Sequence, residues 1–280
     1  MRRAPSPLLA LLPMLLVNGA LLTCALASVF PLLWMLSVSL MPPGQASHLP
    51  PPLLPHGATL DNYRQLFALS GMGRSLFNSS LLAALCTLGS LCFNVSAGYA
   101  FAKLRFRGSQ RLFAALLGAL VIPGQVALIP LFLLLNALGL VDTYAGVLLP
   151  SLAGVFGIFL VRQYALSIPD ELLEAARMDG ANEFRIFFSV VLPALRPILV
   201  TLGLFSFLGS WNDFLWPLIV LERDELRTLP LALASLSREH VQDRELMMAG
   251  SVVTLLPALI MFLSLQRHYL AGLLAGSIKG

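Results

Sequence analysis

The sequence predicts an all-α polytopic membrane protein with six transmembrane helices and one charged, folded loop between the fourth and the fifth. Three observations predict it. Of 280 residues, 58% are hydrophobic and only 11% charged, with a mean hydropathy of +0.83. That leaves too little polar surface to cover a soluble globule, so lipid is the expected solvent. Apolar runs near the length a helix needs to cross a bilayer, about 20 residues, recur six times. The scarce charge is also uneven: eight charged residues, from Asp170 to Arg196, stand between two of those runs.

The runs lie at about residues 12–40, 76–101, 112–138, 144–165, 197–221 and 246–266. Pro123 and Pro130 interrupt the third. Proline is tolerated within a span because neighbouring helices re-satisfy the freed carbonyls. The first run starts at "MRRAPSPLLALLPMLLVNGALLTCALAS", where Ala25-Leu26-Ala27 resembles a signal-peptide cleavage site. Apolar character continues through "VFPLLWMLSVSLM" without a polar mature start, so an uncleaved first span is expected.

Lysine and arginine, counted in alternate segments, orient the spans. The N-terminus, the 102–111 loop, the 162–196 loop and the C-terminus together carry twelve; the intervening segments carry six. The richer set is expected on the cytoplasmic side, with both termini inside. Of the outer segments, "MPPGQASHLPPPLLPHG" reads as an extended proline-rich excursion. "ERDELRTLPLALASLSREHVQDRE" reads as a solvated loop of mixed charge, in which Arg238, His240 and Gln242 could meet a partner.

The loop of 167–196 has the local signals of a helical hairpin. Ser167 can cap a helix, Pro169 suits its first turn, and Asp170, Glu171 and Glu174 place negative charge at its positive end. Gly180 would stop it in a left-handed turn. Asn182 can cap a second helix, on which Phe184, Phe187 and Phe188 share one side. Pro193 and Pro197 mark the return into the membrane. Ala175 and Ala176 would let another backbone approach closely. A hairpin this short has little core and must pack on something. The chain's own helix ends and a groove in a second protein satisfy that need equally.

"EAARMDGANEFRIFFSVVLP" resembles the EAA loop of ATP-binding-cassette importer permeases: Glu-Ala-Ala, three residues, Gly, nine residues, Ile, one residue, Leu-Pro. Glu174, Ala175, Ala176, Gly180, Leu192 and Pro193 fall in register, with Val190 in place of the usual Ile. "GLVDTYAGVLLP", "WNDFLWPLIV" and "MMAGSVVTLLPALIMFLSLQRHYLAGLLAGSIKG" are similar to the carbohydrate, maltose-type branch, and the likeness covers about residues 75–280. The resemblance implies one permease domain over 1–280 in a bacterial inner membrane. It implies a second permease subunit, two ATP-binding subunits and an extracytoplasmic solute-binding protein as partners. It also implies that Glu174, Ala175, Ala176, Asp179, Gly180, Leu192 and Pro193 couple the permease to the ATPase. A sugar is the implied cargo. Glycerol-phosphate or another polar solute is the alternative within the branch, and a single-chain ion-driven carrier the alternative outside it.

Other chemistries lack their residues. No GxxxxGK[ST] cradles phosphate, so ATP hydrolysis is expected on separate chains and no enzyme activity or cofactor on this one. No GxSxG or HExxH occurs. Cys24, Cys86 and Cys92 and four scattered histidines give no metal spacing. The basic pI near 9.3 marks a cytoplasmic face; no basic stripe interleaves with aromatics as nucleic-acid binding needs. Asp213, beside Asn212 and between Trp211 and Trp216, is the one acid of the fifth run. Asn212 and Asp213 either meet sugar hydroxyls, beside indoles that can stack on sugar faces, or satisfy nearby helix ends, or lie at the outer interface with the tryptophans as belt anchors. Asn94 and Thr254 are expected to join helices within the membrane.

Overall fold

The computed structural model describes residues 7–69, 71–239 and 243–277. Arg2, Arg3 and Lys279 of the charge count, with His240 and Gln242, lie outside the described residues, as do the side chains of Arg238 and Arg267. Among the described residues the secondary structure is helical throughout, with no strand.

The helices gather into two compact units, Met1–Gly71 with Leu233–Val253, and Met72–Ala232 with Thr254–Gly280. In the first unit, α1 (Pro7–Ser39) carries apolar residues on every side, and its Met14–Ser39 stretch is long and apolar enough to cross a membrane. At its end Val38 and Met41 are buried with Ala46 against Trp34 and Met248. Past a single 3₁₀ turn at Gln45–Ser47, the proline-rich excursion is otherwise irregular, as its composition predicts. It leads into α2 (Asp61–Leu69), where the buried Asn62 amide donates to the carbonyls of Ser39 (2.9 Å) and Met41 (2.8 Å).

Glu245 also belongs to this unit. It is fully buried, and its Oε1 accepts the Ala46 N–H at 2.7 Å while Oε2 has no hydrogen-bond partner among the described residues. A buried donor deprived of its acceptor costs about 1–3 kcal/mol. Glu245→Leu is therefore expected to destabilise the protein by about that amount. Glu245→Gln, whose amide oxygen can still accept from Ala46, should be nearly neutral. Thermal unfolding in detergent checks this ordering, and equal melting of the two variants would contradict it.

The second unit is built around α3 (Met72–Lys103), a helix of 32 residues and roughly 48 Å. After it come α4 (Ser109–Ala119) and α5 (Leu128–Ala137), which meet at 94°. The third apolar run is thus a broken element. Pro123 starts a 3₁₀ turn with Gly124 and biases Ile122 away from helical geometry, whereas Pro130 lies in the first turn of α5, where proline is tolerated. The fourth run, Tyr144–Ala165, joins α6 (Tyr144–Leu148) to α7 (Val155–Ala165) through a turn at Leu149–Ser151.

Short helices α8 (Asp170–Met178), α9 (Glu183–Ile186) and α10 (Leu192–Ala194) follow, with a π-helical turn at Phe187–Val191 between the last two. The fifth run divides into α11 (Arg196–Trp211) and α12 (Leu215–Val220). The 183–194 segment meets α11 at 79°. The sixth run lies in α14 (Arg244–Ser277), preceded by α13 (Leu229–Glu239). Among the described residues four helices can cross a membrane by length and composition, and up to six if each bent pair is one span.

α13 corrects the sequence reading, which leaves that segment a loop. Leu229, Ala232 and Leu236 recur at helical spacing and are buried. The flanking charges hide this stripe in the sequence.

α3 packs against both α7 and α11. Gly98 lets α7 approach, since a Cβ there would lie 2.7 Å from the Val161 side chain. Buried Asn94 donates to Ser90 Oγ (2.7 Å) and accepts the Gly154 N–H (2.9 Å); Ser90 and Ser206 share a 2.9 Å bond. Asn94 thus joins α3 to the start of α7, as expected of a polar residue within the membrane.

Candidate functional site

The candidate site is the 167–196 hairpin, and its shape follows from local backbone requirements. α7 ends at Ala165, and Ser167 turns its hydroxyl back to the Tyr164 carbonyl (2.7 Å). Ser167 therefore does not cap α8; the flanking position is held by Pro169, with Asp170 and Glu171 in the first turn. Nine residues on, Gly180 adopts φ +81°. Its N–H bonds the Arg177 carbonyl and the Ala181 N–H bonds the Ala176 carbonyl, both at 3.0 Å. This pair of bonds closes α8 in a Schellman motif. Asn182 caps α9 as expected, its Oδ1 accepting the Arg185 N–H at 2.9 Å.

Two ion pairs fix the hairpin. Lys103, at the end of α3, has a side chain only 6% exposed; its Nζ donates to the Ile168 carbonyl and to Asp170 Oδ1, each at 2.6 Å. The ammonium beside Asp170 holds that carboxyl below the usual carboxylate range. Arg177 on α8 donates through Nε to Glu183 Oε1 at 2.8 Å, joining the two arms. Phe184, Phe187 and Phe188 share one side, lining with Tyr99 a cavity of about 300 Å³.

Of the two supports open to the hairpin, the chain's own helix ends take one face. Leu173, Ile186, Val191 and Leu195 are buried in one cluster with Val95 and Tyr99 of α3 and Val161 and Ala165 of α7. The other face is open. Glu174, Ala175, Asp179, Gly180 and Pro193 are exposed, and Ala176 and Leu192 are half-buried. Met178 is 88% and Phe184 78% exposed, unusual apolar exposure for a segment this charged.

Asn212 and Asp213 lie apart from this site, at the break between α11 and α12. The Asn212 amide donates to the Leu208 carbonyl (2.9 Å), and Asp213 Oδ1 accepts the Trp216 N–H (3.3 Å). Both flanking indoles are buried, with Trp211 donating to the Thr254 carbonyl and Trp216 to that of Gly146. Neither indole is therefore available as an interfacial anchor or stacking platform. Among the described residues no cluster of His, Cys, Asp or Glu could hold a metal ion.

The description "binding-protein-dependent transport system inner membrane component" matches residues 94–272. The chain belongs to this family. It is 38% identical over 283 residues, covering 100% of both chains, to the arabinooligosaccharides transport system permease protein AraQ of Halalkalibacterium halodurans. It is 32% identical to the lactose transport system permease protein LacG of Rhizobium radiobacter, covering 96% of this chain and 97% of that one. A crystal structure of a bacterial ABC transporter involved in the import of the acidic polysaccharide alginate has the same fold. Its TM-score is 0.83 at 24% identity, covering 95% of this chain and 99% of that chain.

This inner-membrane component is a multi-pass membrane protein, and the family sets aside the ion-driven carrier. Sequence reasoning missed Lys103 and Glu183 as residues that position the hairpin. A signal for Lys103 existed: it is the one cation in the last turn of a long apolar helix. Glu183 had none, because its partner Arg177 lies across a turn whose geometry only the fold settles.

The "GLVDTYAGVLLP" segment is also structural in this family member. Thr143 caps α6, accepting the Gly146 N–H at 3.1 Å, and Tyr144 donates to Asn78 Oδ1 at 2.7 Å. Asp142 accepts the Glu222 and Arg223 N–H groups, each at 3.0 Å, and pairs with the Arg223 guanidinium.

Proposed function

We propose that this chain is the permease subunit of an ATP-driven importer for a sugar, working as one domain with its hairpin and both termini in the cytoplasm. The observation that carries the reading is the hairpin's division of faces. One face is locked to α3 and α7 by Lys103 and an apolar cluster, and the other presents Glu174, Ala175, Met178 and Asp179 outward. A rigid element tied to the spans and open on one side suits transmission of motion from another chain. That chain is an ATP-binding subunit, since this sequence has no phosphate-cradling loop. ATP binding closes two such subunits, the hairpins move with them, and the pathway opens to receive sugar from an extracytoplasmic binding protein. A second permease subunit completes the pathway.

The relatives named for arabinooligosaccharides and lactose support a carbohydrate as the cargo. The α11–α12 break is our proposed sugar contact, since Asn212 is exposed and Asp213 half-buried there. Asp213→Asn keeps an acceptor for the Trp216 N–H and should raise KM for the sugar several-fold with basal ATPase unchanged. An unaltered KM removes the contact.

The docking reading is tested by cysteine cross-linking from Ala175, which should capture an ATP-binding subunit in the purified complex. Failure to capture any chain, or labelling of position 175 from outside the cell, overturns it. Glu174→Lys reverses an exposed charge on the docking face. It is expected to leave insertion intact and lower sugar uptake at least about tenfold, the effect of losing one well-placed charged contact. Uptake at the wild-type rate would exclude Glu174 from docking.

A further inference from the structure

The α3 end carries a second feature beside the hairpin. Where α3 leaves its apolar run and the chain turns into α4, a cavity of about 780 Å³ opens. Arg105, Arg107, Arg111 and Arg162 line it, together with Phe101 and Phe113, and no acidic residue does. Arg162 is held in place: its Nε donates to the Phe101 carbonyl at 3.3 Å, and its guanidinium carbon lies 4.1 Å from the centre of the Phe113 ring. Arg107 and Arg111 are exposed, with no ion pair or side-chain hydrogen bond among the described residues. α4 begins beside them at Gly108 without a side-chain cap, which adds the positive end of a helix to the same wall.

An excess of arginine at one end of the spans is what membrane insertion selects, and it needs no ligand. It does not account for four guanidiniums around one cavity without a carboxylate among them, nor for an aromatic wall facing them. Like charges gathered in this way repel one another and favour an anion held among them. Guanidinium forks match phosphate oxygens in geometry, and the phenylalanine wall suits the apolar part of an amphiphile. The cavity lies where the apolar part of α3 ends, at the level expected of lipid headgroups.

We propose that this cavity binds a phosphate group at the membrane surface, that of an anionic phospholipid headgroup. Arg105 also lines a neighbouring cavity with Asp170 and Glu174 of the hairpin, whereas Arg107, Arg111 and Arg162 do not, so a test made on Arg107 and Arg111 does not depend on the transport reading.

Native mass spectrometry of the purified, delipidated transporter complex tests this, with phosphatidylglycerol or phosphatidylcholine added back. Phosphatidylglycerol should be retained in preference to phosphatidylcholine. The double variant Arg107→Gln/Arg111→Gln should lower that retention about thirtyfold, the combined effect expected of two arginines at an anionic surface. Arg64→Gln, an exposed arginine paired with Asp61 elsewhere, should leave it unchanged. Equal retention of the two lipids, or retention unaffected by the double variant, overturns the proposal. Displacement of phosphatidylglycerol by millimolar inorganic phosphate overturns the lipid as occupant in favour of a soluble phosphate. Shielding of Arg107 and Arg111 from a guanidine-directed reagent by a partner subunit of the delipidated complex overturns the site altogether.

Discussion

Replacing Gly180 by valine is expected to abolish productive coupling while the chain still inserts. Gly180 sits at φ +81°, and a Cβ there would meet no atom within 4 Å. The cost is therefore one of backbone conformation, not of space. A non-glycine residue in the left-handed region costs about 1–2 kcal/mol, and a β-branched one is a marked outlier. The substitution also strains the two bonds that close α8 on the Ala176 and Arg177 carbonyls. A strain of a few kcal/mol is enough to unseat a helix of nine residues that has little stability of its own. Sugar uptake should fall at least about tenfold, the equivalent of roughly 1.4 kcal/mol. Gly180→Asn, which tolerates the same conformation, should retain most of it. Wild-type uptake in the valine variant would mean that the turn is not needed.

Lys103→Met is the second change expected to have a large effect. It keeps the stem that packs at the end of α3 and removes the ammonium that ties the Ile168 carbonyl and Asp170. Ile168 is 6% exposed, so its carbonyl loses its partner in a buried setting. The expected cost is about 1–3 kcal/mol, concentrated on the α7–α8 junction. Asp170 is 72% exposed at its side chain, so Asp170→Asn should cost much less. Hydrogen exchange of the 167–181 amides tests the order, which is fast in Lys103→Met and near wild type in Asp170→Asn. If the two variants exchange alike, the carbonyl is not the important partner. The pH dependence has a definite sign. The Asp170 carboxyl is depressed in the folded state, so its contribution is present above the unfolded value of about 4 and is lost as pH falls through the lower folded value. Between pH 5 and 8 the pairing should be constant.

Much of the hairpin is legible in the chain because its signals act within one turn of the residue that carries them. Gly180 ends α8 through its own φ, and Asn182 caps α9 three residues away. Ser167 is the local signal that failed: its hydroxyl had two acceptable partners within a turn, and the carbonyl behind it was taken over the N–H ahead. The third and fifth apolar runs are helical as expected but are not single rods. Hydropathy reports the solvent of a segment, whereas the bend of the third depends on Pro123 and the division of the fifth on the helix break at Asn212 and Asp213.

By itself, the sequence determined the solvent this protein lives in, the number of its apolar runs and the position, turn and cap of its hairpin. It also determined the family, because all of these rest on composition or on residues a few positions apart. The tertiary structure alone decided which face of the hairpin is buried. Lys103 reaches Asp170 across 67 residues, and Leu173 joins a cluster drawn from α3 and α7. It also decided that Leu229–Glu239 is a helix with a buried stripe and that four arginines surround one cavity. Burial and electrostatic convergence depend on which distant segments become neighbours, and no local preference of the backbone encodes that.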